Sequence, residues 1–207
     1  MPPEIVKVCG LTSPADALAA IRFGANAVGF ILFPGSPRGL TPNYAAILSA
    51  LIPWSVLKVG VFVDEDPGRL QVIAAMARLD VVQLHGDENP EYCAALKGLR
   101  IWKAVRIGEG FDPETLAAYK VEAFLLDTAL GDAYGGTGQT FPWPKALAAK
   151  QYGKIIMSGG LDGANVADAI RAADPWGVDA SSKLETNPGV KDHERVRLYV
   201  EAAKSVK

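Results

Sequence analysis

Eight times in 207 residues, a short run of β-branched and apolar residues is followed by an Ala-rich amphipathic segment. No other property of the chain narrows its fold as much. The strand-like runs are Ile5 to Cys9, Ala27 to Leu32, Val56 to Val63, Val81 to Leu84, Ile101 to Val105, Ala123 to Leu126, Lys154 to Met157 and Trp176 to Ala180. Ser13-Pro14-Ala15-Asp16 opens the first helix with an N-cap, a proline at the first helical position and an early acid, and Gly24 ends it. Further helices are expected from Thr41-Pro42 to Ile52, Pro67 to Ala77, Asn89-Pro90 to Leu96 and Asp112-Pro113 to Tyr119. The last three run from Pro144 to Ala149, Asn165 to Ala172 and His193 to Ala203.

Several strand-like runs are continuously apolar, as parallel strands covered on both faces should be. Eight strand–helix units at roughly 20–30 residues each fit a (β/α)8 barrel. An open doubly wound sheet usually carries Gly-x-Gly-x-x-Gly after its first strand; here that turn reads Cys9-Gly10-Leu11-Thr12. The expectation is an α/β protein with one TIM barrel domain over residues 1–207. It has no linker and no low-complexity segment.

Composition excludes several roles. Lys+Arg of 21 against Asp+Glu of 23 gives a net charge of −2 without a basic stripe, so no nucleic-acid or membrane-surface partner is expected. No 18-residue apolar run is present to cross a bilayer. A strand beginning near Ile5 leaves no room for a signal peptide, and two cysteines, Cys9 and Cys93, make no disulfide framework. A cytoplasmic protein is therefore expected, with monomer as the default. His85 and His193 lie far apart and no metal-ligand spacing occurs, so no metal is expected.

A barrel of this kind forms its active site at the C-terminal ends of its strands. Read in order, those ends bring together Cys9, Arg38, Asp64, His85, Arg106, Asp127, the turn Ser158-Gly159-Gly160 and the turn Asp179-Ala180-Ser181-Ser182. Strand alternation puts Lys7 and Cys9 on one face, Val6 and Val8 on the other. At roughly 7 Å and an effective dielectric of 20, an ammonium and a thiolate attract by about 2.4 kcal/mol. That lowers the thiol pKa by more than one unit if Lys7 is not already neutralised. Inward parity also pairs Lys7 with Asp179 on the eighth strand, which cancels part of this help. On this stretch alone Cys9 reads first as a small buried hydrophobe.

The turns after strands seven and eight are where barrels bind phosphate, through loop N–H groups and a short extra helix. Glycines let the backbone approach an anion, and serine hydroxyls add donors. Asp127 reads as a loop cap or as an acid, the Gly-rich segment 128–138 as a lid or a surface turn. Arg38 reads as a solvated residue or as a fork for a carboxylate. His85 reads as a structural hydrogen-bonder or a substrate contact.

The ordered set of motifs is more specific than any member. It comprises Lys7-Val8-Cys9-Gly10-Leu11-Thr12, Phe33-Pro34-Gly35-Ser36-Pro37-Arg38, Gly60-Val61-Phe62-Val63, Val82-Gln83-Leu84-His85-Gly86, Leu126-Asp127, Gly135 to Phe141, Ser158-Gly159-Gly160-Leu161 and Asp179-Ala180-Ser181-Ser182, with Pro188 to Asp192 behind them. Over nearly its full length the chain resembles the phosphoribosylanthranilate isomerases of tryptophan biosynthesis. The resemblance implies an Amadori rearrangement of N-(5-phosphoribosyl)anthranilate to 1-(o-carboxyphenylamino)-1-deoxyribulose 5-phosphate, without metal or organic cofactor. It implies Cys9 as general base, Asp127 as general acid and Arg38 as holder of the anthranilate carboxylate. Phosphate contacts are implied at Gly136, Thr137, Gly138, Gly160 and Ser182, and the reading of the two turns adds Gly159 and Ser181 as candidates. To donate near neutrality, Asp127 is expected to have a raised pKa in the complex, from desolvation and the anionic substrate.

One departure stands out: after Ser181-Ser182 the family usually places glycine, and this chain has Lys183. A lysine adds positive charge near the phosphate, or distorts the turn if the backbone there needs positive φ. Two other classes share part of the pattern. An indole-type lyase or related sugar-phosphate isomerase would share the phosphate turns, though the lyase would want two carboxylates as acid and base. A non-catalytic binder of a phosphorylated ligand would tolerate loss of Cys9 or Asp127.

Overall fold

The N-terminal ends of the helices show how the sequence sets its own punctuation. Ser13, Thr41, Asp66, Asn89 and Asp112 each precede a proline, and each accepts from a backbone N–H two or three residues on. The side chain satisfies a donor that the helix leaves orphaned, while proline starts the turn at no hydrogen-bonding loss. The structure, a computed structural model, describes residues 1–108, 110–128 and 143–206.

The strands are β1 (Ile5–Cys9), β2 (Ala27–Ile31), β3 (Leu57–Phe62), β4 (Val81–Leu84), β5 (Ile101–Ile107), β6 (Ala123–Thr128), β7 (Lys154–Met157) and β8 (Gly177–Ala180). All pair in parallel, and β8 closes on β1 to complete an eight-stranded barrel. Around it lie α1 (Pro14–Phe23), α2 (Pro42–Ser49), α3 (Pro67–Met76), α4 (Pro90–Ala95), α5 (Pro144–Ala149), α6 (Val166–Ala173) and α7 (His193–Ser205). Among the described residues no helix is long and apolar enough to cross a membrane.

Parity divides the core in two. Ile5, Ala27, Val59, Val81, Trp102, Ala104, Ala123, Leu125 and Ile156 fill the barrel interior. Val6, Val8, Val28, Phe30, Phe62, Leu84 and Phe124 point outward and pack under the helices.

Three local features differ from the sequence expectation. The β5–β6 connection over Pro113–Ala118 is a 3-10 helix, not an α-helix. Its single buried residue, Leu116, gives too little apolar face to anchor a longer α-turn. β5 continues to Ile107 and β6 to Thr128, paired with each other, so Asp127 lies within its strand. After β8 comes a 3-10 turn, Ser182–Leu184, and then a hairpin of β9 (Glu185–Asn187) and β10 (Val190–Lys191) around Pro188-Gly189. The hairpin is tied to the rim of the barrel by the Thr12 hydroxyl donating to the Gly189 carbonyl.

Candidate active site

The C-terminal mouth holds a cavity whose wall includes Cys9, Arg38, His85 and Asp127 together with the turns 158–161 and 179–183. Residues on or just after strands one, two, three, four, six, seven and eight therefore meet there.

The thiol side is built on β1. Lys7 is wholly buried, and its Nζ donates to Asp179 Oδ1 at 2.9 Å across the β1–β8 register. The pairing expected from parity is present. Burial pushes the Lys7 ammonium down, but Asp179 and Cys9 prevail and hold it above its ordinary value. Cys9 sits one layer higher, 5% exposed, opposite Gly29 of β2. An added Cβ at Gly29 would lie 2.6 Å from the Cys9 sulfur, so the glycine forms the seat for that atom. The expected lowering of the thiol by Lys7 is not the net result. Burial pushes the Cys9 thiol above its ordinary range; Lys7 opposes this, and the Asp179 carboxylate adds to it. The reason is that burial at the assembled mouth outweighs the cation, with the Asp179 carboxylate acting in the same direction as burial.

The carboxyl side is built on β6. Asp127, 5% exposed, accepts at Oδ1 from its neighbour Thr128 N–H at 2.8 Å. Its Oδ2 lies 3.3 Å from His85 Nε2. On the other side of the ring, Gln83 Nε2 is 2.9 Å from His85 Nδ1. Above them Gly159, at φ +81°, leaves no room for a side chain: a Cβ would be 2.9 Å from Asp127 Oδ1. The turn after β7 thus packs directly on the carboxylate, which requires glycine for both its backbone and its space.

On the anion-facing side, Gly159 and Gly160 both take positive φ. Ser181 donates its hydroxyl to the Cys9 carbonyl at 3.0 Å, so that group ties β8 to β1. Ser182 opens the 3-10 turn and lines the cavity with Lys183. Lys183 is not among the non-glycine residues with positive φ, which in the described residues are Asp64, Arg78 and Asp174. The turn therefore accommodates lysine in an ordinary backbone conformation, and its charge stands at the cavity. Gly136, Thr137 and Gly138 lie outside the described residues.

Arg38 is already engaged. Its Nε and Nη2 fork onto Glu185 at 2.7–3.1 Å, and Lys191 Nζ meets the same carboxylate at 2.6 Å. Burial pushes the Glu185 carboxyl up, yet Arg38 and Lys191 prevail and hold it below its ordinary value. Glu185 so fixes the guanidinium of a residue that also lines the cavity.

Sequence reasoning missed Gln83, Glu185, Lys191 and Gly29. Gln83 carried a usable signal, because it shares inward parity with His85 on the same strand. Gly29 faces Cys9 only once the β1–β2 register is known, and Glu185 sits in a hairpin with no strand-like pattern.

A family model described as N-(5′phosphoribosyl)anthranilate (PRA) isomerase matches residues 6–202. A relative from Solibacter usitatus named N-(5′-phosphoribosyl)anthranilate isomerase is 47% identical over 202 residues, covering 97% of this chain and 98% of the relative. One from Geobacter sulfurreducens with the same name is 45% identical over 199 residues, covering 96% and 98%. Among solved structures, phosphoribosyl anthranilate isomerase from Thermotoga maritima superposes with a TM-score of 0.90 at 38% identity, covering 97% of this chain and 98% of that one. A phosphoribosyl anthranilate isomerase in complex with reduced 1-(o-carboxyphenylamino)-1-deoxyribulose 5-phosphate gives 0.87 at 36% identity, with the same coverage.

Proposed function

The chain belongs to the N-(5′-phosphoribosyl)anthranilate isomerase family, and from that premise we propose that Cys9 and Asp127 are the base and acid of its reaction. It is an isomerase of tryptophan biosynthesis, converting N-(5-phosphoribosyl)anthranilate to 1-(o-carboxyphenylamino)-1-deoxyribulose 5-phosphate. The observation that carries the residue assignment is the convergence of a buried thiol and a buried carboxyl in one cavity, beside two glycine- and serine-rich turns.

The chemistry needs two proton transfers. Asp127 gives its proton to the ring oxygen of the sugar, and the C1–O bond breaks as the anilino nitrogen forms a C1=N iminium. The Cys9 thiolate then takes the proton from C2. The freed electron pair forms C1=C2, neutralising the nitrogen, and the resulting enol-amine tautomerises to the ketone. Every electron pair stays within the substrate, so the sequence calls for no redox or organic cofactor. A thiol pushed upward by burial is scarce as thiolate near neutrality, but that thiolate is a stronger base toward a C–H bond. Lys7 is the cation that supports it.

The phosphate is placed at Gly159, Gly160 and Ser182, with the Lys183 charge nearby and Ser181 supporting from below. Gly136, Thr137 and Gly138 are assigned to the same phosphate by resemblance alone. The related enzyme that holds a reduced product supports a phosphorylated small molecule as the ligand of this cavity. The anthranilate carboxylate is placed at Arg38. The protein is placed in the cytoplasm, as a monomer.

The test is turnover of freshly generated phosphoribosylanthranilate, followed by loss of anthranilate-type fluorescence. Cys9→Ala and Asp127→Ala should each lower kcat on the order of a hundredfold or more. A Cys9→Ala variant with nearly unchanged kcat would show that the base is another group.

A further inference from the structure

Deepening the assignment of Asp127 as the acid, on which this step rests, we infer that Gln83 and His85 are positioning residues that load Asp127 with its proton. A free aspartic acid holds a proton at neutral pH only about one time in a thousand. An acid catalyst there needs a neighbour that favours the protonated pair. His85 lies between Asp127 Oδ2 at 3.3 Å and Gln83 Nε2 at 2.9 Å, forming a three-member chain from Gln83 on β4, through His85 just beyond that strand, to Asp127 near the end of β6.

The amide decides what the ring can do. With its NH2 toward Nδ1, Gln83 donates there, the ring proton sits on Nε2, and that N–H donates to an ionised Asp127. With the amide turned over, Oε1 accepts from Nδ1–H. Nε2 then presents its lone pair to a protonated Asp127, or shares that same proton with it. The second arrangement holds one proton more than the first, and the pair holds it jointly. Gln83 Oε1 is one of three buried side-chain polar atoms with no hydrogen-bond partner among the described residues. Nothing therefore pins the far end of the amide, and turning it breaks no second hydrogen bond. When Asp127 gives its proton to the sugar, the ring keeps its Nδ1 proton on Gln83 Oε1 and its bare Nε2 beside the carboxylate, so the next proton taken up returns to the pair.

The proton has a route separate from the substrate. A second cavity, of about 290 Å³, adjoins the site between the ends of β4, β5 and β6, and both His85 and Asp127 reach its wall. Its wall mixes charged and apolar side chains, and the volume far exceeds the roughly 10–15 Å³ needed to hold one water. The charged and titratable groups facing the pair are Asp87, Glu88, Lys103, Arg106 and Tyr119 here, and Cys9, Arg38, Asp179 and Lys183 across the main cavity. Glu88 is paired with Lys103, Asp87 with Arg106, Asp179 with Lys7 and Arg38 with Glu185. With those charges compensated, Lys183 is the remaining charged side chain of this set beside the pair.

The experiment is the pH profile of kcat/KM for wild type, His85→Asn, Gln83→Glu and Asp127→Ala. A carboxylic acid ordinarily titrates below a thiol, so the active form has the lower group protonated and the higher one ionised. The acidic limb then reports the acid and the alkaline limb the base. His85→Asn should move the acidic limb to lower pH and lower the plateau about tenfold or more. Gln83→Glu fixes a proton on Nδ1 and should move the acidic limb to higher pH. A drop by one factor at every pH with both limbs unmoved would overturn the inference, as would a change confined to KM. If His85→Asn does not fold, an unmoved acidic limb in Gln83→Glu overturns it alone. Near-normal activity in Asp127→Ala would instead refute the acid assignment itself.

Discussion

Gly29→Ala is the sharpest probe of how Cys9, the proposed base, is held. The added Cβ would stand 2.6 Å from the Cys9 sulfur, against 3.4–4 Å for ordinary contact, so the sulfur must retreat by about 1 Å. The other neighbours, Cys9 Cα and Lys7 Cε, lie at 3.1 Å and offer little give. A displacement of that size at a reacting group costs on the order of a hundredfold in rate, which is about 2.7 kcal/mol of barrier. Overpacking adds about 1–3 kcal/mol of instability. The assay is kcat by the fluorescence method, with urea midpoints for Gly29→Ala, Cys9→Ala and the double variant. Removing the sulfur should relieve most of the crowding, so the double variant should be more stable than the sum of the single effects predicts. In rate, Gly29→Ala should add almost nothing to a protein already lacking the thiol. If Gly29→Ala keeps kcat within about threefold of wild type while folding normally, the glycine does not set the position of the base.

Two further outcomes follow from the ion pairs. Asp179→Asn removes the anion that raises the Cys9 thiol and leaves the Lys7 ammonium to the sulfur alone, so the thiol should titrate lower, read from thiolate absorbance against pH. The same change breaks a buried pair and should cost about 3–5 kcal/mol of stability; an unshifted thiol would show that Lys7 is not coupled to it. Glu185 is held below its ordinary value, so its contribution to stability is present above the ordinary glutamate range and lost as pH falls through its lower value. The difference in urea midpoint between wild type and Glu185→Gln should therefore be constant near neutrality and shrink in acid, and KM should rise as Arg38 loses its guide.

Strand number, strand order and the inward parity of Lys7, Cys9 and Asp127 were legible because each rests on a local period of two residues or on a cap followed by proline. The pairing of Lys7 with Asp179 was legible too, since an eight-stranded barrel must bring its first and last strands together. The net direction of the Cys9 shift was not. It depends on how far burial outweighs one cation, and burial is a property of the assembled mouth. The engagement of Arg38 by Glu185 was hidden for a different reason: β9 and β10 span only three and two residues, too short to show alternation. The α-helix expected after β5 failed because a proline-led cap marks a helical start without specifying whether its turns are α or 3-10.

The period that builds the barrel also explains why its polar interior tracks the chemistry. Each inward position lies two residues from the next, so every reactive group has a fixed residue one layer beneath it. Cys9 stands over Lys7, His85 over Gln83 and Ser181 over Asp179, whereas the layer below holds Ile5, Val81 and Gly177. Polarity therefore rises along the strands, from an apolar plug through a buried polar layer to the open mouth. The middle layer is costly to bury, and an apolar replacement of similar shape would often be neutral or better for stability alone. Its members touch or face the groups proposed to exchange protons: Lys7 and Asp179 act on the thiol, and Gln83 meets the imidazole. The polar layer is thus best understood as the electrostatic floor of the active site, with its cost in stability offset by the apolar plug beneath it and the apolar packing on the strands' outer faces.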